Sequence, residues 1–342
     1  MHILSIGMYM TSESGLMEKL KGIIEKRGRV ALEQAKQEIL DSPYDGGVVS
    51  SALKYFARVT LKGGLPVFPA LISLSCEAVG GKTEKTTSIG AALTLIAGVA
   101  DIHDDIIDQS AIKYSKKTVF GKFGGDIALL AGDALLIQGV MFLHRECESL
   151  PKRQRKTILS LITSAFFEIS NAEAKETRLM RRLDMKPQEY FEMISLKAVV
   201  HEVLCKIGGI LGNGDIEWIE ALGNYGRVFG IVSGIRDDFI DLLEYPELQN
   251  RLKKECLPLP MLYALQNPEI KKEITKVLGK KNLTERQVQR VVSISLKSAE
   301  VEKLKTEMNL MIHKARDKLP PLKNPAIEKE LQVLLKALLD DL

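Results

Sequence analysis

Apolar residues recur with a helical period along most of the chain. In residues 14–40, leucine, isoleucine and valine alternate with charged residues at a spacing close to that of an amphipathic helix. Long, mostly apolar stretches of helical length follow at 89–107, 125–144, 156–175 and 187–211. Short β-branched alternations between tight turns, which would indicate strands, are scarce. The pattern therefore predicts an all-α protein.

Glycine and proline residues fall between the predicted helices. Turn signals occur at 42–47, 63–69, 80–81, 124–125 and 212–214. The sequence contains no low-complexity linker, and it has no internal repeat of the length that solenoid proteins use. We therefore expect one helical domain over residues 1–342. The more charged residues 266–342 are expected to pack as peripheral C-terminal helices.

Composition excludes several classes of protein. The 342 residues carry a net charge of only +4, and the basic residues form no stripe with interleaved aromatics, so we expect no nucleic-acid partner. Four widely separated cysteines without a CxxC pair predict free thiols in a reducing cytoplasm. The apolar N-terminus lacks the basic region of a signal peptide. We find no run approaching the roughly 18 apolar residues of a membrane span, and we expect a cytoplasmic protein.

Two acidic segments carry the candidate chemistry. Each contains the pattern DDxxD inside an otherwise apolar helical stretch: the first cluster is Asp104, Asp105 and Asp108, and the second cluster is Asp237, Asp238 and Asp241. In a helix, residues at these spacings share a face, where like charges repel one another. Mg²⁺ resolves that conflict, because it binds carboxylate oxygens and bridges to substrate phosphates. A solvated acidic turn explains one such motif as well, but it explains two embedded copies poorly.

The order of several motifs resembles the trans-isoprenyl diphosphate synthase family, also called polyprenyl synthetases. The likeness covers roughly residues 55–265, and it includes both DDxxD motifs, His103, Lys122-Phe123-Gly124, the segment LAGDALL at 130–136, Lys197, and the glycines at 223, 226 and 230. It implies a bundle of long helices around a deep apolar pocket, with the acidic motifs at its mouth.

The resemblance also implies the chemistry of this pocket. Three Mg²⁺ ions, held by all six aspartates of the two clusters, would grip the diphosphate of an allylic prenyl diphosphate so that it ionises. Lys197 would assist the leaving diphosphate. We therefore expect a Mg²⁺-dependent class I prenyltransferase that acts as a homodimer. Its apolar product implies peripheral contact with membrane lipids.

The departures from the family pattern fall on the site for isopentenyl diphosphate. The family uses a GGKRxRP segment, a histidine before the first motif and two arginines after it. Here the chain reads GGLPVFP at 63–69, Ala97 takes the histidine position, and Lys113 and Tyr114 take the arginine positions. Because Leu65 and Val67 also lack charge, we expect isopentenyl diphosphate to bind weakly.

Several readings of these departures stay open. Lys113 is a candidate substrate-binding residue, and Lys62, Lys116 and Lys117 are neighbouring cations that could rebuild the lost site. Chain elongation and transfer of the prenyl group to another acceptor are then the two competing interpretations. Cyclisation or hydrolysis without isopentenyl diphosphate is an alternative, and a catalytically weak subunit of a heteromeric synthase is another.

Small residues before the first motif bear on chain length. In the resembling family, bulky residues four and five positions before DDxxD close the pocket, whereas this chain has Ala100 and Val99 there, beside Gly98. We therefore expect a deep channel for a prenyl chain of about twenty carbons or longer. Ordinary helix packing by small residues is the alternative explanation.

Overall fold

The structure is a computed structural model of the chain. It describes residues 15–44, 46–113, 116–180, 182, 184–278, 284–322, 324–340 and 342. The first helices are α1 (Gly15–Leu40), α2 (Gly47–Phe56), α3 (Val67–Ala78), α4 (Thr86–Ile107), α5 (Val119–Phe123), α6 (Gly125–Cys147), α7 (Lys152–Leu179) and α8 (Pro187–Lys197). They are followed by α9 (Val199–Leu211), α10 (Ile216–Leu243), α11 (Tyr245–Lys254), α12 (Leu259–Ala264), α13 (Pro268–Leu278), α14 (Glu285–Leu296), α15 (Ala299–Asp317) and α16 (Pro325–Ala337).

Other regular structure in the described chain is short. A π-helical turn, Ala57–Leu61, follows α2, and a 3₁₀ turn, Thr83–Lys85, precedes α4. The strands β1 (Ile112–Lys113) and β2 (Lys116–Lys117) form a small antiparallel hairpin between α4 and α5. The predicted all-α class is therefore confirmed.

The predicted helical segments agree with the structure apart from one. Segment 187–211 is not one helix, because α8 and α9 meet at Ala198. There ψ is −8°, and the Ala198 N–H bonds to the carbonyls of Ile194 and Leu196. This bonding tightens the last turn of α8, so the expectation of one continuous segment is wrong.

Glycines allow the central helices to approach one another closely. Helix α9 contacts both α3 and α10, and α4 contacts α6. A methyl group at Gly208 of α9 would lie 2.3 Å from the carbonyl oxygen of Ile72 in α3. At Gly226 of α10, a methyl would lie 2.3 Å from the carbonyl oxygen of His201 in α9. These backbones therefore meet with no room for a side chain, and α3, α9 and α10 form a dense centre.

The C-terminal helices contribute to the same hydrophobic core. Helix α16 contacts α1 and α3, and α15 contacts α10. The Tyr225 hydroxyl donates to the carbonyl of Leu331 at 2.7 Å, and Arg27 bridges Glu77 and Glu330, each at 2.5 Å. The division into one domain with peripheral helices at 266–342 stays a prediction, and the buried leucines of α16 belong to the shared core.

Two helices are more apolar than the sequence reading suggested. By length and composition alone, α4 and α6 could each cross a membrane. In α4, 72% of the most apolar stretch is buried inside the protein, whereas in α6 the share is 39%. Helix α4 is thus a core helix, and α6 exposes an apolar face.

The close contact between α3 and α9 predicts a specific loss of stability. Gly208→Ala should lower the free energy of unfolding by about 1–3 kcal/mol, because its methyl group meets the Ile72 carbonyl. Gly22→Ala in α1 is the matched control. A methyl there meets nothing within 4 Å, and the change should stabilise the helix by roughly 0.5–1 kcal/mol. Urea denaturation measures both variants, and equal effects would contradict the close approach.

Candidate active site

Both aspartate clusters lie at the C-terminal ends of long helices. Asp104 and Asp105 belong to the last turn of α4, and the N–H of Asp108 still bonds to the Asp104 carbonyl at 2.8 Å. Gln109, with φ at 53°, then ends the helix. The second cluster lies in the last two turns of α10. Neither helix has a basic residue in its last turn, so both ends combine carboxylates with the partial negative charge of a helix C-terminus.

A small cavity brings the two clusters together. Its volume is about 40 Å³, and Asp108 of the first cluster faces the whole second cluster across it. Side chains from α7, α8 and α11 complete the wall: Glu173, Glu176, Tyr190, Lys197 and Arg251. Carboxylates separated by more than a hundred residues therefore share one site.

Two lysines pair with carboxylates at this site. Lys113 of β1 lies 2.5 Å from Asp105. Lys197 is buried and pairs with Glu173 at 2.7 Å and with Glu176. Burial alone would lower the pKa of Lys197, but the two glutamates raise it. Burial alone would raise the pKa of Glu176, but Lys197 lowers it to about 2. Both groups are therefore charged at neutral pH.

An arginine forms ion pairs with two aspartates of the second cluster. Arg251 of α11 is buried, and its guanidinium lies 2.8 Å from Asp238 and 2.6 Å from Asp241. It also donates to the Tyr190 hydroxyl at 2.6 Å and to the Cys256 carbonyl at 3.2 Å. This side chain supplies a positive charge at a helix end that has none of its own.

Three of the six cluster aspartates have no cationic partner within the described part of the chain. Asp104, Asp108 and Asp237 make no ion pair there. Burial raises the pKa of Asp108 to about 6 and that of Asp237 to about 8, and it also raises the pKa of Asp104. Asp104 is buried and the other two are half-buried, and carboxylates in such surroundings suit a divalent cation. Among the described residues no three His, Cys, Asp or Glu surround a common metal position, so a metal here would also need oxygens from water or substrate.

An apolar cavity adjoins this site. Its volume is about 400 Å³, within the usual range of small-molecule pockets. Asp104 and Glu173 lie on its wall, and Glu173 also lines the cavity between the clusters. Val99 and Ala100 belong to the apolar lining, whereas a methyl group at Gly98 would meet the ring of Phe56.

The sequence reading missed four of the residues that complete the site. Glu173 and Glu176 stand three positions apart in α7, and this spacing on a helix opposite Lys197 was the only available signal for them. The sequence gives no comparable signal for Tyr190 and Arg251, because their contacts depend on how α8 and α11 pack against α10. Tyr114 lies outside the described residues.

Comparison with known proteins decides the family. Residues 50–295 match the family model described as polyprenyl synthetase. The chain belongs to the polyprenyl synthetase family. The predicted resemblance is confirmed, and the protein is a prenyltransferase of isoprenoid biosynthesis.

Relatives and solved structures agree with this assignment. A short chain isoprenyl diphosphate synthase of Methanothermobacter thermautotrophicus is 31% identical over 232 residues, which cover 68% of this chain and 69% of the relative. A geranylgeranyl diphosphate synthase of Sulfolobus acidocaldarius is 28% identical, covering 72% and 77% of the two chains. The structure of geranylgeranyl pyrophosphate synthetase from Pyrococcus horikoshii superposes with a TM-score of 0.81 at 26% identity, covering 95% of this chain and 99% of that one.

The position of Val99 predicts an effect on chain length. Val99→Phe places a ring in the apolar cavity and should shorten the main prenyl product by one or more isoprene units. Val30→Phe, at an exposed position of α1, is the control and should leave the products unchanged. Chromatography of the dephosphorylated products measures both. An unchanged distribution for Val99→Phe would show that the growing chain lies elsewhere.

Proposed function

We propose that this polyprenyl synthetase is a Mg²⁺-dependent prenyl diphosphate synthase that elongates an allylic prenyl diphosphate with isopentenyl diphosphate. One observation supports the proposal most. The cavity between the aspartate clusters adjoins the apolar cavity, and Glu173 lines both. A diphosphate at the clusters would thus leave its prenyl chain in apolar surroundings beside Val99 and Ala100.

The carboxylates without a chain cation are the proposed metal ligands. Asp104 and Asp108 would hold Mg²⁺ from the first cluster and Asp237 from the second. When bound at these aspartates, Mg²⁺ would supply charge that stabilises the leaving diphosphate. Family resemblance implies three ions and six aspartate ligands. Asp238 and Asp241 already pair with Arg251, so fewer than six aspartates lack a cation of the chain as partner.

The chain's own cations would act on the same diphosphate. Lys197 carries a positive charge into the site from α8, where Glu173 and Glu176 hold its ammonium group. We propose that it donates to an oxygen of the leaving diphosphate. Lys113 would orient Asp105, with which it pairs. The apolar wall beyond Asp104 would exclude water from the reacting carbon.

The acceptor's diphosphate needs a cationic site of its own. Five exposed basic residues line a groove of about 730 Å³, which we call the basic groove: Arg58, Lys62, Lys116, Lys117 and Lys122. None of them makes an ion pair with a described acidic residue. Lys122 lies 3.9 Å above the ring of Tyr55, whose hydroxyl donates to the Lys117 carbonyl at 2.6 Å. Tyr55 thus contacts the ammonium group of Lys122 and holds the backbone at Lys117.

The β-hairpin links the basic groove to the first cluster. Lys116 stands opposite Lys113 in the hairpin register, and paired residues of neighbouring strands lie about 5 Å apart. Lys113 in turn contacts Asp105. A diphosphate bound by Lys116 would therefore lie close to the allylic substrate at the first cluster, as condensation of the two requires.

This proposal departs from the expectation that isopentenyl diphosphate binds weakly. Leu65 and Val67 are buried, and Ala97 lines the apolar cavity, so these positions offer no anion site. The basic groove supplies cations from other positions. We therefore propose that anion binding has moved to the groove. Cyclisation, hydrolysis and a weak-subunit role are less favoured, since the relatives named above are prenyl diphosphate synthases.

Assembly and location stay proposals. Helix α6 exposes a stripe of apolar side chains at helical spacing: Leu130, Ile137 and Met141, between 53% and 65% exposed. An apolar stripe of this kind is typical of a protein interface, and we propose that it pairs two copies of the chain as a homodimer. The cytoplasmic location and a peripheral contact with membrane lipids remain expectations.

The metal proposal predicts that both clusters are needed. Asp104→Ala and Asp237→Ala should each lower kcat/KM by at least about a hundredfold, because each removes a ligand that stabilises the developing charge. Asp126→Ala, at an exposed position of α6, should retain activity. Chelation by EDTA should abolish turnover, and added Mg²⁺ should restore it. Full turnover by either variant, or in EDTA, would rule out the metal role.

The basic groove predicts a selective effect on the acceptor. Lys62→Gln and Lys116→Gln should each raise KM for isopentenyl diphosphate by about tenfold to a hundredfold, the range for one charge-assisted hydrogen bond. KM for the allylic substrate should stay within about twofold. Lys152→Gln, an exposed lysine of α7, is the control. An unchanged KM for isopentenyl diphosphate, or equal rises for both substrates, would place the acceptor elsewhere.

A further inference from the structure

Asp101 of α4 is a buried carboxylic acid outside both aspartate clusters. It lies one helical turn before Asp105, on the same face of the helix. Only 9% of its surface is exposed, and it makes no hydrogen bond or ion pair with any residue that the structure describes. Most other buried residues of α4 are apolar. A buried carboxyl group without a direct partner is unfavourable, so packing alone would favour an apolar residue at this position.

Lys113 carries the positive charge on this face of α4. Its ammonium group lies 2.5 Å from Asp105, and its side chain is 16% exposed. Burial alone would lower the pKa of Lys113, but Asp105 and then Asp101 raise it. Burial raises the pKa of Asp101 to about 7, and Lys113 acts in the opposite direction. One ammonium group therefore interacts with two carboxyl groups of the same helix.

The hairpin places this ammonium group beside the basic groove. Lys113 and Lys116 are opposed in the antiparallel register, so their side chains lie on the same face of the hairpin. Lys116 is exposed and lines the groove, whereas Lys113 is half-buried and does not. The two neighbouring lysines thus differ in their partners. The carboxyl groups of α4 engage Lys113, and Lys116 is left for an anion.

We propose that Asp101 is a specificity-determining residue that keeps Lys113 engaged with α4 and so withholds it from the acceptor's diphosphate. The inference rests on the proposed function, because isopentenyl diphosphate is the acceptor proposed above. It assigns to Asp101 a part in deciding where that acceptor binds.

Competition for the ammonium group is the physical basis of this role. An ammonium group has three N–H donors, and two carboxylates compete with a diphosphate for it more strongly than Asp105 would alone. While Asp101 is ionised, the net charge of Lys113 and the two carboxylates is negative, which disfavours an anion at this lysine. The acceptor's diphosphate is then held at Lys116, on the groove side of the hairpin.

Asp101→Asn tests the role by removing the charge with little change in shape. Near pH 8, above the pKa of Asp101, this variant should lower KM for isopentenyl diphosphate by about threefold to tenfold, because Lys113 becomes available to the acceptor. KM for the allylic substrate should stay within about twofold. Asp101→Glu keeps the charge and should match the wild type. Asp126→Asn, at an exposed position of α6, is the control and should leave both KM values unchanged.

A double-mutant cycle separates this role from a purely structural one. In the Lys113→Gln background, Asp101→Asn should leave KM for isopentenyl diphosphate unchanged, since no ammonium group remains to be released. An equal fall in KM in both backgrounds would show that Asp101 does not act through Lys113. A fall in kcat with no change in KM would reduce Asp101 to a structural role. Either result would overturn the inference.

Binding of inorganic pyrophosphate provides a readout that does not depend on turnover. Isothermal titration calorimetry in EDTA, without divalent metal, should show tighter binding by Asp101→Asn than by the wild type. Lys113→Gln should bind pyrophosphate equally well with and without Asp101→Asn. Equal or undetectable binding by the wild type and Asp101→Asn would overturn the role of Asp101. A wild type that does not elongate with isopentenyl diphosphate would instead contradict the proposed function, and the pyrophosphate titration would still decide the role of Asp101.

Discussion

Repulsion between two negatively charged helix ends is the constraint on which this site depends. Helices α4 and α10 both finish in DDxxD motifs, and Asp108 of the first motif shares one cavity with all three aspartates of the second. A carboxylate at a helix C-terminus is disfavoured by roughly 0.3–1 kcal/mol even when it is exposed, and burial increases that cost. The raised pKa values of Asp108 and Asp237 reflect this environment. Cations brought from other elements are therefore a requirement of the fold.

Three basic side chains from different elements supply these cations. Lys113 approaches from the hairpin, Lys197 from α8 and Arg251 from α11. Each is held by partners of its own, so none can leave without exposing a buried charge. The close contacts of α9 with α3 and α10 keep α10 from shifting in response to the repulsion. Packing density and charge placement thus act together to keep the two clusters at a fixed separation.

The sequence predicted the fold and part of the site. Helical periodicity located the long helices, because apolar spacing is a local property. The DDxxD pairs were legible because like charges inside apolar helices contradict their surroundings. Lys62, Lys116 and Lys117 were recognised as spare cations, but Arg58 and Lys122 were not, since only the folded chain brings them to one groove. Arg251 carried no signal either. Its partners Asp241 and Tyr190 lie 10 and 61 positions away, and nothing in the periodicity of α11 distinguishes it.

Fixed and exchangeable cations have different consequences for turnover. A metal ion that binds together with diphosphate would enter and leave with the substrate, so its charge would be present when a leaving group must be stabilised. A buried guanidinium remains after the product leaves, and it limits repulsion within α10 when no ligand is bound. The aspartates without a chain cation, Asp104, Asp108 and Asp237, then mark where the fold leaves carboxyl groups without a counter-charge of its own. Carboxyl groups at those positions would be available to a divalent cation, whereas carboxylates that all had cations of the chain as partners would not.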